Sequence, residues 1–370
     1  MTKVFIGGSR RVTRLSAEVQ RRIDKIIEQG FPILVGDVNG ADKAVQTYLR
    51  DRHYRKVDVF CAGGRCRNNV GDWPPTNVPV RYQYARNDRH RFTSFSMAKT
   101  VTAMLIGIAI AEGRIRSADD LAAAYVPALA GTEYGGTSLR HLLEMSSGVR
   151  FIENYSGRDD AARLWIDTVI QAGAGGVEAV KPYNERLRRS GYVFSYASVE
   201  TQVLGLVLRG AVGRPVADYL RETIWEPMGA EADATWLIDR AGQEATYCCL
   251  NAVLRDYARV GLLLAHDGRL GDRQIIPEAW VQAATTVPAD SWHLKPYAAT
   301  RYFGYGYQTW IFPGKRRMFA LLGLHGQAIF VDPSSRLVMV HTAVRKEPAG
   351  PNAEAVALWR GVVNALGGPN

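Results

Sequence analysis

A serine and a lysine three positions apart, Ser96 and Lys99, open a strongly apolar stretch over residues 100–112. At helical pitch such a pair shares one face, so hydroxyl and amine meet within a single turn. A serine hydroxyl is a weak nucleophile until a neighbouring base takes its proton, and a lysine held in a dry pocket is such a base. A helix N-terminus adds free N–H groups and the positive end of a dipole, both useful beside a forming oxyanion. The chemistry this suggests is acyl transfer through a serine ester. The same residues by themselves also describe a helix cap followed by a solvated lysine. Two further groups bear on the choice. Tyr196, in Tyr196-Ala197-Ser198, ends an aromatic run and leads into an apolar helix over residues 199–210. A phenol near a lysine ammonium has its pKa lowered and can pass a proton to a leaving group, although a tyrosine packed in a loop fits the same pattern. His325 lies in Leu324-His325-Gly326-Gln327, within residues 321–340, which read as two strands joined by the turn Asp332-Pro333-Ser334-Ser335. Its glycines let a strand backbone approach a substrate closely, while the imidazole also reads as an ordinary half-buried strand histidine.

These residues need a scaffold, and the surrounding pattern supplies one. Val101, Met104, Leu105, Ile108 and Ala109 recur at helical spacing, which predicts a central helix buried against a sheet with Ser96 at its entry. Residues 100–270 read as mainly helical, 300–345 as strand-rich, and 353–366 as a closing helix. Helices flanking a late antiparallel sheet make an α+β pattern. The aromatic run at 302–310 fits either a core strand or the wall of an apolar acyl pocket.

Together, in this order, the three stretches resemble the serine β-lactamase and penicillin-binding-protein superfamily. Its signatures are Ser-x-x-Lys, Tyr-x-Asn or a variant, and Lys-Thr-Gly or a His-Gly variant. The closer resemblance is to the class C-like branch of esterases and 6-aminohexanoate-dimer hydrolases. It is carried further by residues 81–84, 117–120, 139–149 and 255–261, and spans about 80–366. The resemblance implies a β-lactamase-like antiparallel sheet with flanking helices and a helical subdomain. It also implies Ser96 as the acylated nucleophile, Lys99 as its base and Tyr196 as the group that passes the proton on. The oxyanion donors would be the N–H groups of Ser96 and of Gln327, which follows Gly326. Tyr155 matches a tyrosine that contacts the substrate amide. Ser198 replaces the asparagine of true β-lactamases, and Leu324-His325-Gly326 replaces Lys-Thr-Gly. Loss of that cation favours small esters or linear amides over β-lactams. The expected protein is a serine hydrolase without cofactor or metal. The alternatives are a nucleotide-binding regulatory fusion with a relic hydrolase half, or a weak β-lactamase.

Composition sets the outer bounds. A chain of 370 residues, 47% hydrophobic and 22% charged, can bury a large core and suggests two units. It has no run of 18 apolar residues, so no membrane span is expected, and its opening residues read as strand and loop rather than a signal peptide. A cytoplasmic setting follows as an expectation. Cys61, Cys66, Cys248 and Cys249 fit neither a zinc pattern nor a disulfide framework, and the adjacent pair is expected to be reduced. The net charge of +10 comes without a stripe of basic residues interleaved with aromatics, so no nucleic-acid partner is expected.

Residues 1–79 read as a separate unit ahead of a hydrolase domain at 80–370. Strands at 3–6, 32–35 and 57–60 alternate with helices at 16–29 and 43–52, which predicts a short parallel α/β sheet. This segment resembles the first half of a Rossmann-like module of the SLOG group, related to DprA and lysine-decarboxylase-like folds. Gly8, Ser9 and Arg10, with Gly36, Gly40 and Asp42, would then face a phosphate. The later glycine-rich loop of catalytic relatives is missing, so the half-module either binds a nucleotide or binds nothing. The hydrolase part shows only one strand, at about 78–84, of its usual opening hairpin. Strand 57–60 is expected to fill the vacant edge through an irregular segment at 63–77; the alternative is a homodimer that covers it.

Overall fold

The computed structural model describes residues 4–7, 12–62, 65–78, 90–170, 176–343 and 353–367. Contacts divide the chain into two compact units, Met1–Asn87 and Asp88–Asn370.

In the first unit, strands β1 (Val4–Ile6), β2 (Ile33–Gly36), β3 (Val57–Ala62) and β4 (Pro75–Val78) form one sheet in sequence order, every pair parallel. Helices α1 (Ala17–Glu28) and α2 (Ala41–Asp51) make the crossovers that parallel strands require. Ile33 and Val35 alternate into a core with Ile23, Val45, Leu49, Val57, Val59 and Trp73. The predicted strands and helices are all present, each within two residues of its expected ends. One expectation is corrected. Val59 is paired with Val35 on one side and Pro75 on the other. With both edges occupied, β3 has none to lend to a second sheet. The supposed irregular segment supplies β4 instead, and the unit boundary falls later than 79/80. Most of the strand expected at 78–84 lies outside the described residues.

The second unit opens with β5 (Arg91–Thr93) and α3 (Met97–Ala111). Short helices α4 (Leu139–Leu143), α5 (Asp160–Trp165) and α6 (Gly176–Val180) lead to α7 (Ser198–Val212) and α8 (Val216–Leu220). Next come β6 (Thr235–Trp236), β7 (Leu250–Val253), α9 (Leu254–Ala265), β8 (Arg269–Leu270), β9 (Arg273–Gln274) and α10 (Glu278–Ala284). Strands β10 (Gly304–Tyr305), β11 (Trp310–Ile311), β12 (Phe319–Leu322), β13 (Gln327–Asp332) and β14 (Leu337–Thr342) form a five-stranded antiparallel meander, and α11 (Ala353–Leu366) closes the unit.

Two-residue periodicity makes this sheet the middle layer of three. Along β13, Ile329 and Val331 face the large core built on α3, α7 and α9. Ala328 and Phe330 face the opposite way, where Phe330 stacks on Trp359 of α11 with ring centroids 5.8 Å apart. Contact on the inner face is close. A Cβ on Gly261 of α9 would lie 2.5 Å from Val338 Cγ1 and 2.8 Å from Ile329 Cγ2. Helix α3 is buried over its whole surface from Met97 to Ala109, as an all-round apolar helix must be.

Candidate active site

Ser96 caps α3 directly after Phe95, whose backbone sits at φ 43°. That left-handed residue turns the chain out of β5 and sets the serine at the mouth of a cleft instead of inside the core. One turn along, Lys99 is 1% exposed, and its Nζ donates to Ser96 Oγ at 3.0 Å and to the Tyr247 carbonyl at 2.8 Å. Burial pulls the ammonium down to about 8, against the opposing charge of Glu153. A lysine in this state can accept a proton at neutral to mildly alkaline pH. The solvated-lysine reading is thereby excluded.

Tyr196 reaches the same point from the loop before α7. It lines the same cleft as Ser96, and its ring stacks on Trp310 at 5.3 Å and lies 5.1 Å beneath Lys99 Nζ. Backbone contacts fix this loop. The Ser195 N–H donates to the Met145 carbonyl at 2.8 Å, and the Ala197 N–H reaches Met145 Sδ at 3.3 Å. The expected lowering of the Tyr196 pKa is corrected. Burial first, and then the Glu153 charge, raise it despite the opposing effect of the Ser96 hydroxyl, so the phenol is protonated in the resting enzyme.

The remaining expected residues separate. Tyr155 and Gly326 line the cleft with Ser96 and Tyr196. Ser198 does not line it; its Oγ and N–H donate to Glu153 at 2.7 and 2.6 Å, and the Tyr155 hydroxyl donates to the same carboxylate at 2.8 Å. Burial and the Glu153 charge keep Tyr155 protonated. His325 is corrected in place, whereas Gln327 opens β13, on a strand as expected. Leu324-His325-Gly326 lies not within a strand but in the turn between β12 and β13, closed by Gly323 N–H to Gln327 O at 2.7 Å. The His325 ring packs edge-on against Phe95 at 4.9 Å, outside the cleft wall. The Gln327 side chain accepts from the His325 N–H at 3.1 Å and donates to Ala343 O at 2.7 Å. The aromatic run divides: Tyr302, Phe303 and Trp310 line the cleft, whereas Tyr305 and Tyr307 are core.

Three functional groups escape the sequence reasoning. Glu153 gathers Tyr155 and Ser198 and lends its charge to Lys99. The Tyr247 carbonyl orients Lys99. His341 of β14 bonds the Gly326 carbonyl through Nδ1 at 2.8 Å, fixing the peptide plane that also carries the Gln327 N–H. All three approach from distant sequence, and only the presence of Glu153 two residues before Tyr155 gave a signal. The cysteine expectation is also overturned, because Cys248 and Cys249 are joined by a disulfide. The turn that places Cys249 at φ 69° brings the two neighbouring sulfurs together.

The cleft measures about 820 Å³. Its walls are apolar apart from the hydroxyls of Ser96 and Thr300, Glu153, the phenols and two arginines, Arg301 and Arg360. In the first unit, Gly8, Ser9 and Arg10 lie outside the described residues. Asp42 folds back over Gly36, where an added Cβ would meet Asp42 Oδ2 at 2.2 Å, and accepts from the Val38 N–H at 3.4 Å. A groove of about 520 Å³ beside α2 includes Gly40, Lys43 and Arg14 but neither Gly36 nor Asp42. The strand order has no reversal among the described strands, so they lack the crevice of a doubly wound sheet.

Comparison with known proteins places this geometry. Residues 76–363 match the Beta-lactamase family. The chain is 26% identical over 279 residues to the 6-aminohexanoate-dimer hydrolase of Paenarthrobacter ureafaciens, covering 72% of this chain and 69% of that one. Among solved structures, a Bacillus anthracis protein assigned as a 6-aminohexanoate-dimer hydrolase superposes with a TM-score of 0.66 at 24% identity, over 76% of this chain and 74% of the other. A family VIII carboxylesterase gives 0.57 at 18% identity, over 76% and 85%.

Proposed function

The chain belongs to the beta-lactamase family and is a serine hydrolase, and from that premise we propose that it cleaves small esters or linear amides through an ester on Ser96. The observation that carries this reading is the hydrogen bond from Lys99 Nζ to Ser96 Oγ, with the Tyr196 ring 5.1 Å from the same Nζ and lining the same cleft. Neutral Lys99 takes the hydroxyl proton as Oγ attacks the carbonyl carbon. The oxyanion is received by the N–H of Ser96, at the positive end of α3, and by that of Gln327, whose peptide plane His341 holds. Tyr196, protonated at rest, gives its proton to the departing alkoxide or amine. It is reprotonated from Lys99 across the former Oγ position. Water then enters, the same groups run in reverse, and the acid leaves.

The apolar walls suit an uncharged acyl chain. The missing cation in Leu324-His325-Gly326 supports esters or linear amides ahead of β-lactams. The test is a pre-steady-state burst of p-nitrophenol from a short acyl ester, paired with mass spectrometry after a fluorophosphonate probe. The expected result is one probe adduct on Ser96 and no burst in Ser96→Ala; full turnover by that variant would refute the assignment.

For residues 1–79, the SLOG resemblance remains a proposal, supported by the parallel sheet and by the groove beside α2. A thermal-shift panel of nucleotides at millimolar concentration tests it. No stabilisation would remove the nucleotide-sensing reading.

A further inference from the structure

The Cys248–Cys249 disulfide has no part in the steps above, yet it begins one residue after the carbonyl that receives Lys99. We propose that this small covalent ring is a positioning device for the base: it holds the Tyr247 carbonyl against Lys99 Nζ, so that acylation of Ser96 depends on the oxidation state of two adjacent cysteines. The proposal rests on the reading of Ser96 and Lys99 given above.

Lys99 Nζ donates to two oxygens among the described residues, Ser96 Oγ and Tyr247 O. The direction of the base toward the serine therefore depends on where Tyr247 O stands. The peptide unit that carries this oxygen also carries the Cys248 N–H, which donates to Ala245 O at 3.0 Å. The next peptide is closed into the ring. Its carbonyl, that of Cys248, accepts Trp236 Nε1 at 2.7 Å, and the Cys249 carbonyl accepts Asn251 Nδ2 at 3.0 Å. Cys249 sits at φ 69°, a region L-residues adopt at a cost, and the covalent ring helps to hold it there. Both cysteines are buried.

Opening the ring removes that restraint. A dithiol reductant attacks one sulfur through its thiolate and breaks the S–S bond to form a mixed disulfide. Its second thiolate then releases the protein sulfur, leaving two cysteine thiols and one oxidised reductant, a transfer of two electrons and two protons. Cys249 can then relax from its left-handed conformation and draw the Tyr247 carbonyl away. The groups facing Lys99 are Ser96, the rings of Tyr196 and Tyr247, and the Glu153 carboxylate. Once the carbonyl is lost, the Glu153 charge, the Ser96 hydroxyl and the two ring faces still oppose the burial that disfavours the ammonium, but one of its two hydrogen-bond acceptors is gone. The base becomes misaligned, and its protonated form becomes less stable.

The test uses the full chain, purified in air and then reduced with dithiothreitol, either natively or by refolding in its presence. Alkylation in denaturant followed by mass spectrometry counts the thiols. Two modified cysteines, Cys61 and Cys66, are expected before reduction and four after. In the reduced enzyme the burst rate should fall tenfold or more with KM within twofold, and the acidic limb of the burst-rate profile should move to lower pH. Oxidised glutathione should restore both. Cys248→Ala/Cys249→Ala should behave as the reduced form and ignore reductant, whereas Cys61→Ala/Cys66→Ala should respond as the wild type does. If the first double variant does not fold, the reduced wild type carries the result. Four free thiols in the untreated protein, or an identical burst rate and pH profile in both states, overturn the proposal alone. Absence of a burst in both states overturns it together with the serine-hydrolase reading.

Discussion

In the proposed mechanism, catalysis at Ser96 depends on who holds one proton, and the surroundings of Lys99 decide that. With its pKa drawn down to about 8, the amine is increasingly available as pH rises through that value. The acylation rate should therefore climb with an acidic limb near pH 8, read from burst kinetics between pH 6 and 9.5. The Glu153 charge opposes the effect of burial, so Glu153→Gln should move that limb to lower pH, while Ser198 and Tyr155 lose the carboxylate they share. An unmoved limb would show that the charge is not felt at the lysine. Tyr196→Phe removes the proposed acid for the leaving group and should cut kcat by about 10²-fold or more with KM little changed. Ser96, Lys99 and Tyr196 were legible in the chain because one pair lies a single helical turn apart and the third residue sits in a recognisable triplet. Glu153, the Tyr247 carbonyl and His341 were not, because each meets its partner only after segments far apart in sequence pack together.

Helices and strands were legible where periodicity was strong. The helix expected at 353–366 is α11 to the residue, and the one expected at 199–210 extends to Ser198–Val212. Turn chemistry was the weaker guide. A mostly apolar stretch from 321 to 331, broken only by His325 and Gln327, conceals the reversal at 323–326, because the glycines there permit both an extended strand and a tight turn; Gly326 sits at φ 95°. β4 was missed because four residues beginning with proline carry no alternation to read. Packing between elements gives its own prediction. A Cβ on Gly107 of α3 would lie 2.2 Å from the Trp280 ring, whose Nε1 donates to Ala103 O at 3.0 Å. Gly107→Ala must push α10 away from α3 and should cost about 1–3 kcal/mol by overpacking. Calorimetry on the full chain would register this as a lower Tm, and an unchanged Tm would mean that the indole swings aside freely.

Across the whole chain, the two units differ in how their sheets are built. The first is parallel and ordered by sequence, with β3 paired on both sides. The second is an antiparallel meander between two helical layers. Composition and length suggested two units, and the division expected at 79/80 lies between the start of the family match at residue 76 and the break in contacts at 87/88. A four-residue strand can join either a parallel or an antiparallel sheet, and the choice rests on register that no local pattern encodes.

Helix α11 performs two tasks with two stripes of its surface. Ala355, Trp359 and Val363, four residues apart, seal the outer face of the sheet, while Ala353, Val356, Ala357 and Arg360 look into the cleft. The last helix of the fold is thus also a wall of the substrate chamber. Ala357→Leu should shorten the longest acyl ester accepted in a chain-length series while sparing the burst from acetate; an unaltered series would release the helix from that duty. Substrate range can then drift through changes in α11, leaving Ser96 and Lys99, more than two hundred residues upstream, untouched.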